Sequence, residues 1–373
     1  MNILISGGAG FIGSNLALAL IKRGHEVTVL DNLSPQIHTE DSPLYKSIKD
    51  KVRFIHGDVR SKTDWVLALE NQVVVVHLAA ETGTGQSMYE IERYVDVNVR
   101  GTAIMLDLLA NTEHSIKKIV VASSRSIYGE GKYKCKEHGL VYPTERIDND
   151  LAGGDFTVKC PHCGQTSECI ATDEESKIHP SSIYGITKHN QEQMVLTAGK
   201  SLGISSIAFR YQNVYGPGQS LSNPYTGILS IFSTRIKNMN ELVIFEDGLE
   251  SRDFVYIDDT VSATILGIEN SDDLYDVFNV GSGELTDVMT VAKSLIAAYG
   301  ADVPIQVAGT YRVGDIRNNF ADLEKITRVL GYKPSIYFSE GIKYFSEWVN
   351  QQTVQIDNYE KSIAEMKVKG LYL

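Results

Sequence analysis

Three sets of residues in this sequence are spaced for chemistry. Gly7, Gly10 and Gly13 recur at intervals of three in Gly7-Gly8-Ala9-Gly10-Phe11-Ile12-Gly13. Tyr184 and Lys188 are four residues apart, with Ser124 upstream. Cys135-Lys136-Glu137-His138 and Cys160-Pro161-His162-Cys163 each place two soft ligands across a gap of two. A glycine turn after a strand lets backbone approach a diphosphate, and the amides and positive end of the next helix then face its charge. A tyrosine and a lysine four apart share one helix face. A free phenol, with a pKa of roughly 10, is a poor base near neutrality, but a neighbouring ammonium and a positive nicotinamide ring favour the phenolate. Ser124 can share or relay the proton. By itself a Tyr-x-x-x-Lys pair reads as a solvated helix face. Downstream of a glycine loop and an Ala-Ser-Ser strand end, it reads as the acid/base that accompanies hydride transfer.

Those residues need elements to hold them. Asn2–Ser6 reads as a buried strand, Phe11–Arg23 as an amphipathic helix closed by Gly24, and Glu26–Leu30 as a second strand. Strands follow at Val52–His56, Val73–Leu78, Lys118–Ala122 and Ile204–Tyr211, with helices at Thr63–Leu69, Tyr89–Leu109 and Ser182–Leu202. The alternation predicts an α/β fold, a Rossmann-type doubly wound parallel sheet covered on both faces. On this reading a dinucleotide-binding domain spans 1–211, interrupted by a Cys/His-bearing insertion over 130–177. A smaller mixed α/β lobe, mainly substrate-binding and with some elements returning to the first domain, spans 212–350. The tail over 351–373 reads as a polar helix.

The chain has 373 residues, 43% of them hydrophobic, and a formal net charge of -12, which argues against a nucleic-acid or anionic-membrane surface. Ile3-Leu4-Ile5 is already a strand, so no signal peptide is expected, and no apolar run is long enough to span a bilayer. Four cysteines inside one short segment do not resemble a secreted disulfide framework, so a cytoplasmic location is expected.

Asp31 ends the second strand, where an acidic group accepts hydrogen bonds from the adenosine ribose. Its charge repels a 2′-phosphate and no arginine follows in Asn32-Leu33-Ser34, so NAD is expected rather than NADP. The competing reading is that Asp31 caps a strand–loop junction.

The chain resembles the extended short-chain dehydrogenase/reductases, the family of NAD-dependent nucleotide-sugar epimerases and dehydratases. The likeness rests on the glycine loop, Asp58-Val59, His77-Leu78-Ala79-Ala80, Val97-Asn98, Ser123-Ser124, Tyr184-Gly185-Ile186-Thr187-Lys188, Arg210-Tyr211-Gln212-Asn213-Val214-Tyr215-Gly216-Pro217 and Arg252-Asp253-Phe254-Val255-Tyr256. It implies that Ser124, Tyr184 and Lys188 are catalytic. It places the cofactor against Gly7, Gly10, Phe11, Ile12, Gly13, Asp31, Asn32, Asp58, Val59, Leu78, Ala79, Ala80, Thr82, Asn98, Tyr184 and Lys188. Arg125, Asn213, Arg252, Arg312 and Asp315, with Thr82, Ser124 and Tyr184, would hold a sugar nucleotide. Arginines suit that task because a planar guanidinium pairs with diphosphate oxygens, though structural ion pairing is the competing reading for Arg252 and Arg312. Gln212 departs from the family, which commonly has an aromatic there beside the nicotinamide. The likeness also implies a homodimer through paired helices such as Tyr89–Leu109 and Ser182–Leu202.

Dehydratases of the family carry Asp-Glu after the catalytic Ser/Thr; here Arg125-Ser126 follow Ser124, which disfavours dehydration. Nothing in the sequence places Cys169 beside the site, as a four-electron sugar dehydrogenase would need. Reversible redox at one carbon remains: a 4-epimerase in which Tyr184 takes the hydroxyl proton. A 4-ketoreductase is the alternative within the family, and a non-catalytic NAD-binding sensor is the alternative outside it.

The Cys/His pairs read as two knuckles gripping one tetrahedral zinc through Cys135, His138, Cys160 and Cys163, a closed structural site. Inert thiols or a disulfide are the competing readings, and Cys169 and His162 are rival ligands. With the segments Glu81–Glu90 and Pro224-Tyr225-Thr226-Gly227, this insertion resembles the dTDP-L-rhamnose 4-epimerase subgroup. That likeness implies interconversion of dTDP-L-rhamnose and dTDP-6-deoxy-L-talose.

Overall fold

The computed structural model describes residues 1–37, 40–225, 227–312 and 314–373; Thr226, in the Pro224–Gly227 segment above, and Val313, between Arg312 and Asp315, lie outside the described residues. Seven parallel strands form one sheet in the order Tyr275–Val280, Ser205–Tyr211, Lys118–Ser124, Val74–His77, Asn2–Ser6, Glu26–Asp31, Arg53–His56. The chain runs outward from Asn2–Ser6 through two strands, then returns to Val74–His77 on the other side of the first. That reversal of strand order opens a crevice at the carboxyl ends of the strands, where such sheets bind ligands.

Strict alternation explains why the strands read as unbroken apolar runs. Ile3, Ile5, Val74, Val76 and Val120 enter one hydrophobic cluster, whereas Leu4, Val75, Ile119 and Val121 enter the other. Both faces are covered by helices, so neither side of a strand carries a polar stripe. Lys118–Ser124 and Ser205–Tyr211 are buried at every position. They are paired in register so that Ser124 lies beside Tyr211 at the crevice.

Three elements differ from expectation. Instead of one helix, Tyr89–Leu109 contains a short helix Ile91–Tyr94, a π-helical turn Val95–Arg100 and the helix Gly101–Asn111. The wide turn holds Asn98 at Glu81, whose amide it accepts at 2.7 Å and whose carbonyl it reaches at 3.1 Å. In the tail only Tyr359–Val368 is helical, and it is not merely polar, since Tyr359, Ser362, Ile363 and Met366 are buried on one face. The insertion forms a small antiparallel sheet of Tyr133–Cys135, Gly139–Val141 and Glu168–Cys169. Its strands are too short to show a period in sequence. Among the described residues no helix is long and apolar enough to cross a membrane.

Candidate active site

The glycine turn packs backbone on backbone. Gly7 has φ +72°, and a Cβ there would lie 2.7 Å from the Ala79 amide nitrogen. A Cβ at Gly13 would lie 2.4 Å from the Gly7 carbonyl. The helix Phe11–Lys22 begins with no capping side chain and no acidic residue in its first turn. Its leading amides and positive end therefore suit an anionic group, which is the fit a dinucleotide diphosphate needs.

Asp31 is buried at the end of its strand and lines the crevice. Its carboxylate accepts the Ala9 and Leu33 amides, each at 2.9 Å. It therefore ties the strand end to the glycine turn and to the following loop, the competing reading given above. Asn32 and Val59 line the same cavity, but Asp58 does not. The Asp58 carboxylate instead accepts from Asn32 at 3.0 Å and from Arg60 at 2.8 and 2.9 Å. Burial pushes this carboxyl up, but the bonds from Arg60 and Asn32 outweigh it and hold the group at about 2.

One cavity of about 570 Å³ runs from Gly7, Gly10, Phe11, Ile12, Gly13 and Asp31, past Leu78, Ala79, Ala80 and Thr82, to Ser124, Tyr184 and Lys188. It continues to Arg125, Asn213, Arg252, Arg312 and Asp315. Asn98, by contrast, is fully buried behind the wall. Besides holding Glu81, it donates to Thr187 Oγ1 at 3.0 Å, one residue before Lys188.

The helix Ile183–Leu202 carries Tyr184 in its first turn, and its N-cap Ser182 accepts the Gly185 amide at 3.1 Å. Gly185 lets the helix meet the chain beyond Ser124, since a Cβ there would lie 2.7 Å from the Ser126 carbonyl. Burial raises the Tyr184 pKa, while a hydrogen bond with Ser124 and the charge of Arg125 pull it back. Lys188 turns to Gln191, an acceptor 2.7 Å away and three residues on. Burial pushes the Lys188 ammonium down to about 7, against the charge of Glu192. The Arg125 charge thus favours the phenolate against burial. Beneath the site, Arg210 forks onto Glu192 at 2.7 and 3.0 Å, and Ser123 donates to the same carboxylate at 2.6 Å. This buried, fully bonded pair locks the Ser123-Ser124 strand end to the helix of Tyr184.

Around the far end, Arg125 donates through Nε to Asn213 at 2.8 Å. Burial and the neighbouring Arg252 push its pKa down to about 9. Arg252 donates to the Ile316 and Arg317 carbonyls at 2.7 and 2.9 Å. Arg312 pairs with Asp315 at 2.7 Å and lies over the Phe245 ring, 5.0 Å from its centre. Arg252 also lies 3.6 Å from Asp315, so the ion-pairing reading holds for both arginines, although all three groups line the cavity. Gln212 lines the cavity too, buried, with both amide atoms unpartnered among the described residues.

Tyr225, Tyr359, Ser362, Ile363 and Met366 also line the cavity. Sequence reasoning missed the last four. Their i, i+3, i+4, i+7 spacing was the available signal, hidden in a tail of low mean apolarity.

In the insertion, Cys135, His138, Cys160 and Cys163 bring one ligand atom each within 4.8 Å of all the others. The Cys135 Sγ lies 3.7 Å from both His138 Nδ1 and Cys163 Sγ. The edges of a tetrahedron with metal–sulfur bonds of about 2.3 Å have about this length. Cys169 and His162 stand outside the cluster; the Cys169 Sγ points to the Ile170 carbonyl at 3.9 Å.

The family model described as the NAD dependent epimerase/dehydratase family matches residues 3–146 and 161–281. This chain belongs to that family. The break in the match falls inside the insertion. A dTDP-L-rhamnose 4-epimerase of Burkholderia thailandensis is 35% identical to the chain, over 94% of this chain and 95% of the relative. The UDP-glucose 4-epimerase of Thermotoga maritima, solved with UDP-glucose, superposes with a TM-score of 0.76 at 28% identity, covering 94% of this chain and 99% of that one. The UDP-glucuronic acid 4-epimerase of Bacillus cereus, solved with UDP-glucuronic acid and NAD, gives a TM-score of 0.75 at 25% identity, with coverage of 94% and 99%. Like these relatives, the chain is an isomerase working with NAD.

Proposed function

We propose that the chain epimerises C4 of a nucleotide-linked sugar, and that the pair dTDP-L-rhamnose and dTDP-6-deoxy-L-talose is its substrate and product. The supporting observation is the single cavity in which a glycine turn, the Ser124–Tyr184–Lys188 group and three arginines follow one another. NAD, held at the Gly7–Gly13 turn and beside Asp31, would supply reversible hydride chemistry at C4. The chain's own residues do the rest. The Tyr184 phenolate takes the C4 hydroxyl proton and later returns it to the oxygen of the 4-keto sugar. Ser124 shares that proton through its hydrogen bond with Tyr184. The Arg125 charge stabilises the phenolate, while Lys188, on the wall of the same cavity, would help hold the cofactor. Arg252, Arg312 and Asn213 bind the diphosphate and leave the sugar able to rotate between the two transfers.

Structural zinc belongs to this proposal. Cys135, His138, Cys160 and Cys163 form a closed four-ligand set, so the metal would brace the insertion and leave no open position for chemistry. We also propose that the chain is a cytoplasmic homodimer.

One observation favours a second reading. Arg125 lines the same cavity as Tyr184, and its guanidinium would pair the carboxylate of a nucleotide-linked sugar acid. Proton NMR in deuterated water, with no added cofactor, separates the two. With dTDP-L-rhamnose, the 4-epimer should appear with protium retained at C4. No conversion of that sugar, together with turnover of UDP-glucuronate, would replace the first reading by the second.

A further inference from the structure

The Cys/His insertion leaves the sheet just after the active-site strand, yet none of its four soft ligands lines the cavity. Its contacts show where it acts. Strands Tyr133–Cys135 and Gly139–Val141 form a hairpin with Cys135 and His138 at its tip. At the base of that hairpin stand Glu130 and Arg146, with side chains only 3% and 5% exposed. The Arg146 Nε lies 3.1 Å from Glu130, and its terminal nitrogens reach Glu246 at 2.7 and 2.8 Å.

Both partners then grip the segment that carries the cavity arginine and its acid. Arg146 donates to the Asp315 carbonyl at 3.0 Å, and Glu130 accepts the Arg317 amide at 2.8 Å. Leu151 and Phe156, also in the insertion, pack on Tyr311 immediately before Arg312. Arg252 is held by the Ile316 and Arg317 carbonyls of this same segment. The insertion therefore touches the segment at three points, and the segment in turn sets Arg312, Asp315 and Arg252.

We infer that Arg146 and Glu130 are positioning residues for the anion-binding arginines. The insertion, closed at its tip by the four-ligand cluster and at its base by this pair, serves to hold the diphosphate end of the cavity. A buried ion pair is a weak source of net stability, and here the Arg146 fork on Glu246 and its bond to the Asp315 carbonyl fix where the guanidinium sits. The inference rests on the nucleotide-sugar reading above.

The test uses the NAD-loaded, full-length enzyme and follows dTDP binding by calorimetry alongside steady-state kinetics. Arg146→Lys keeps the charge but loses the fork, and Leu151→Ala loosens Tyr311 without touching a charge. Arg146→Lys should raise the dTDP Kd and the sugar-nucleotide KM about tenfold, with kcat falling less and NAD retained. Leu151→Ala should move both in the same direction by a smaller factor. Unchanged Kd and KM in both variants would overturn the inference, as would loss of dTDP binding only in step with loss of NAD and of the fold. Wild-type protein that binds neither dTDP nor UDP would overturn the nucleotide-sugar reading and this inference together. Wild-type binding with unaltered variants would remove the inference alone.

Discussion

The two ends of the cavity are built by opposite means. At the cofactor end, Gly7 to Gly13 form one contiguous turn, and the binding groups are backbone amides fixed by the covalent chain. At the far end, Arg125, Arg252 and Arg312 come from three separate segments, and long side chains must be steered by Asn213, backbone carbonyls and Asp315. A backbone site is rigid once its helix and strand pack, since it has no rotamer freedom to lose. A side-chain site needs a supporting layer, and here that layer includes a Cys/His insertion closed by buried charges. Conformational entropy thus explains why a backbone turn can be contiguous while a site of long side chains draws on distant parts of the chain.

The sharpest way to break this contrast is to remove the group between the two ends. Tyr184→Phe should lower kcat roughly 10³-fold while fold and bound NAD persist, measured by turnover and by cofactor released on denaturation. Near-normal turnover would reject Tyr184 as the base. Next, Gly13→Ala places a methyl against the Gly7 carbonyl, a clash that overpacking data put at about 1–3 kcal/mol. NAD affinity should fall roughly 10- to 100-fold by the same figure. Nucleotide binding at the other end should change little, and equal losses at both ends would dissolve the contrast.

Cys160→Ser attacks the opposite region. Metal analysis should find about one zinc per wild-type chain and none in the variant, with a lower Tm and weaker dTDP binding but unchanged NAD content. A metal-free wild type would remove zinc from the account. The smallest effect is expected at Arg125→Met. The Arg125 charge lowers the Tyr184 pKa, so removing it raises that pKa, and the phenolate then forms only at higher pH. The acid limb of kcat/KM should move upward by about one pH unit. A downward shift would show that Arg125 does not act on the phenol.

The regular part of the fold was legible because its signals are local. Strand and helix ends such as Asn2–Ser6 and Phe11–Lys22 follow from apolar alternation, glycine and short connections. The interruption at Val95–Arg100 was not legible, because its cause is a tertiary bond between Asn98 and Glu81. Asp58 and Asn98, expected at the cofactor, do not line the cavity; Arg60 and Asn32 bond the first, and Glu81 and Thr187 the second. The tail helix escaped notice as a cavity wall, since its buried face of Tyr359, Ser362, Ile363 and Met366 is interleaved with charge.

By itself, the sequence determined the glycine turn, the acidic end of the second strand, the helix face shared by Tyr184 and Lys188, and the four soft ligands. Spacing along one element, or across one turn, fixes each of these. Only the tertiary structure decided that Lys188 turns to Gln191 and that Arg125 turns to Asn213. It alone brought Glu130 and Arg146 to the segment carrying Arg312. Those choices depend on which buried polar atoms find partners, and residues far apart in the chain settle them together.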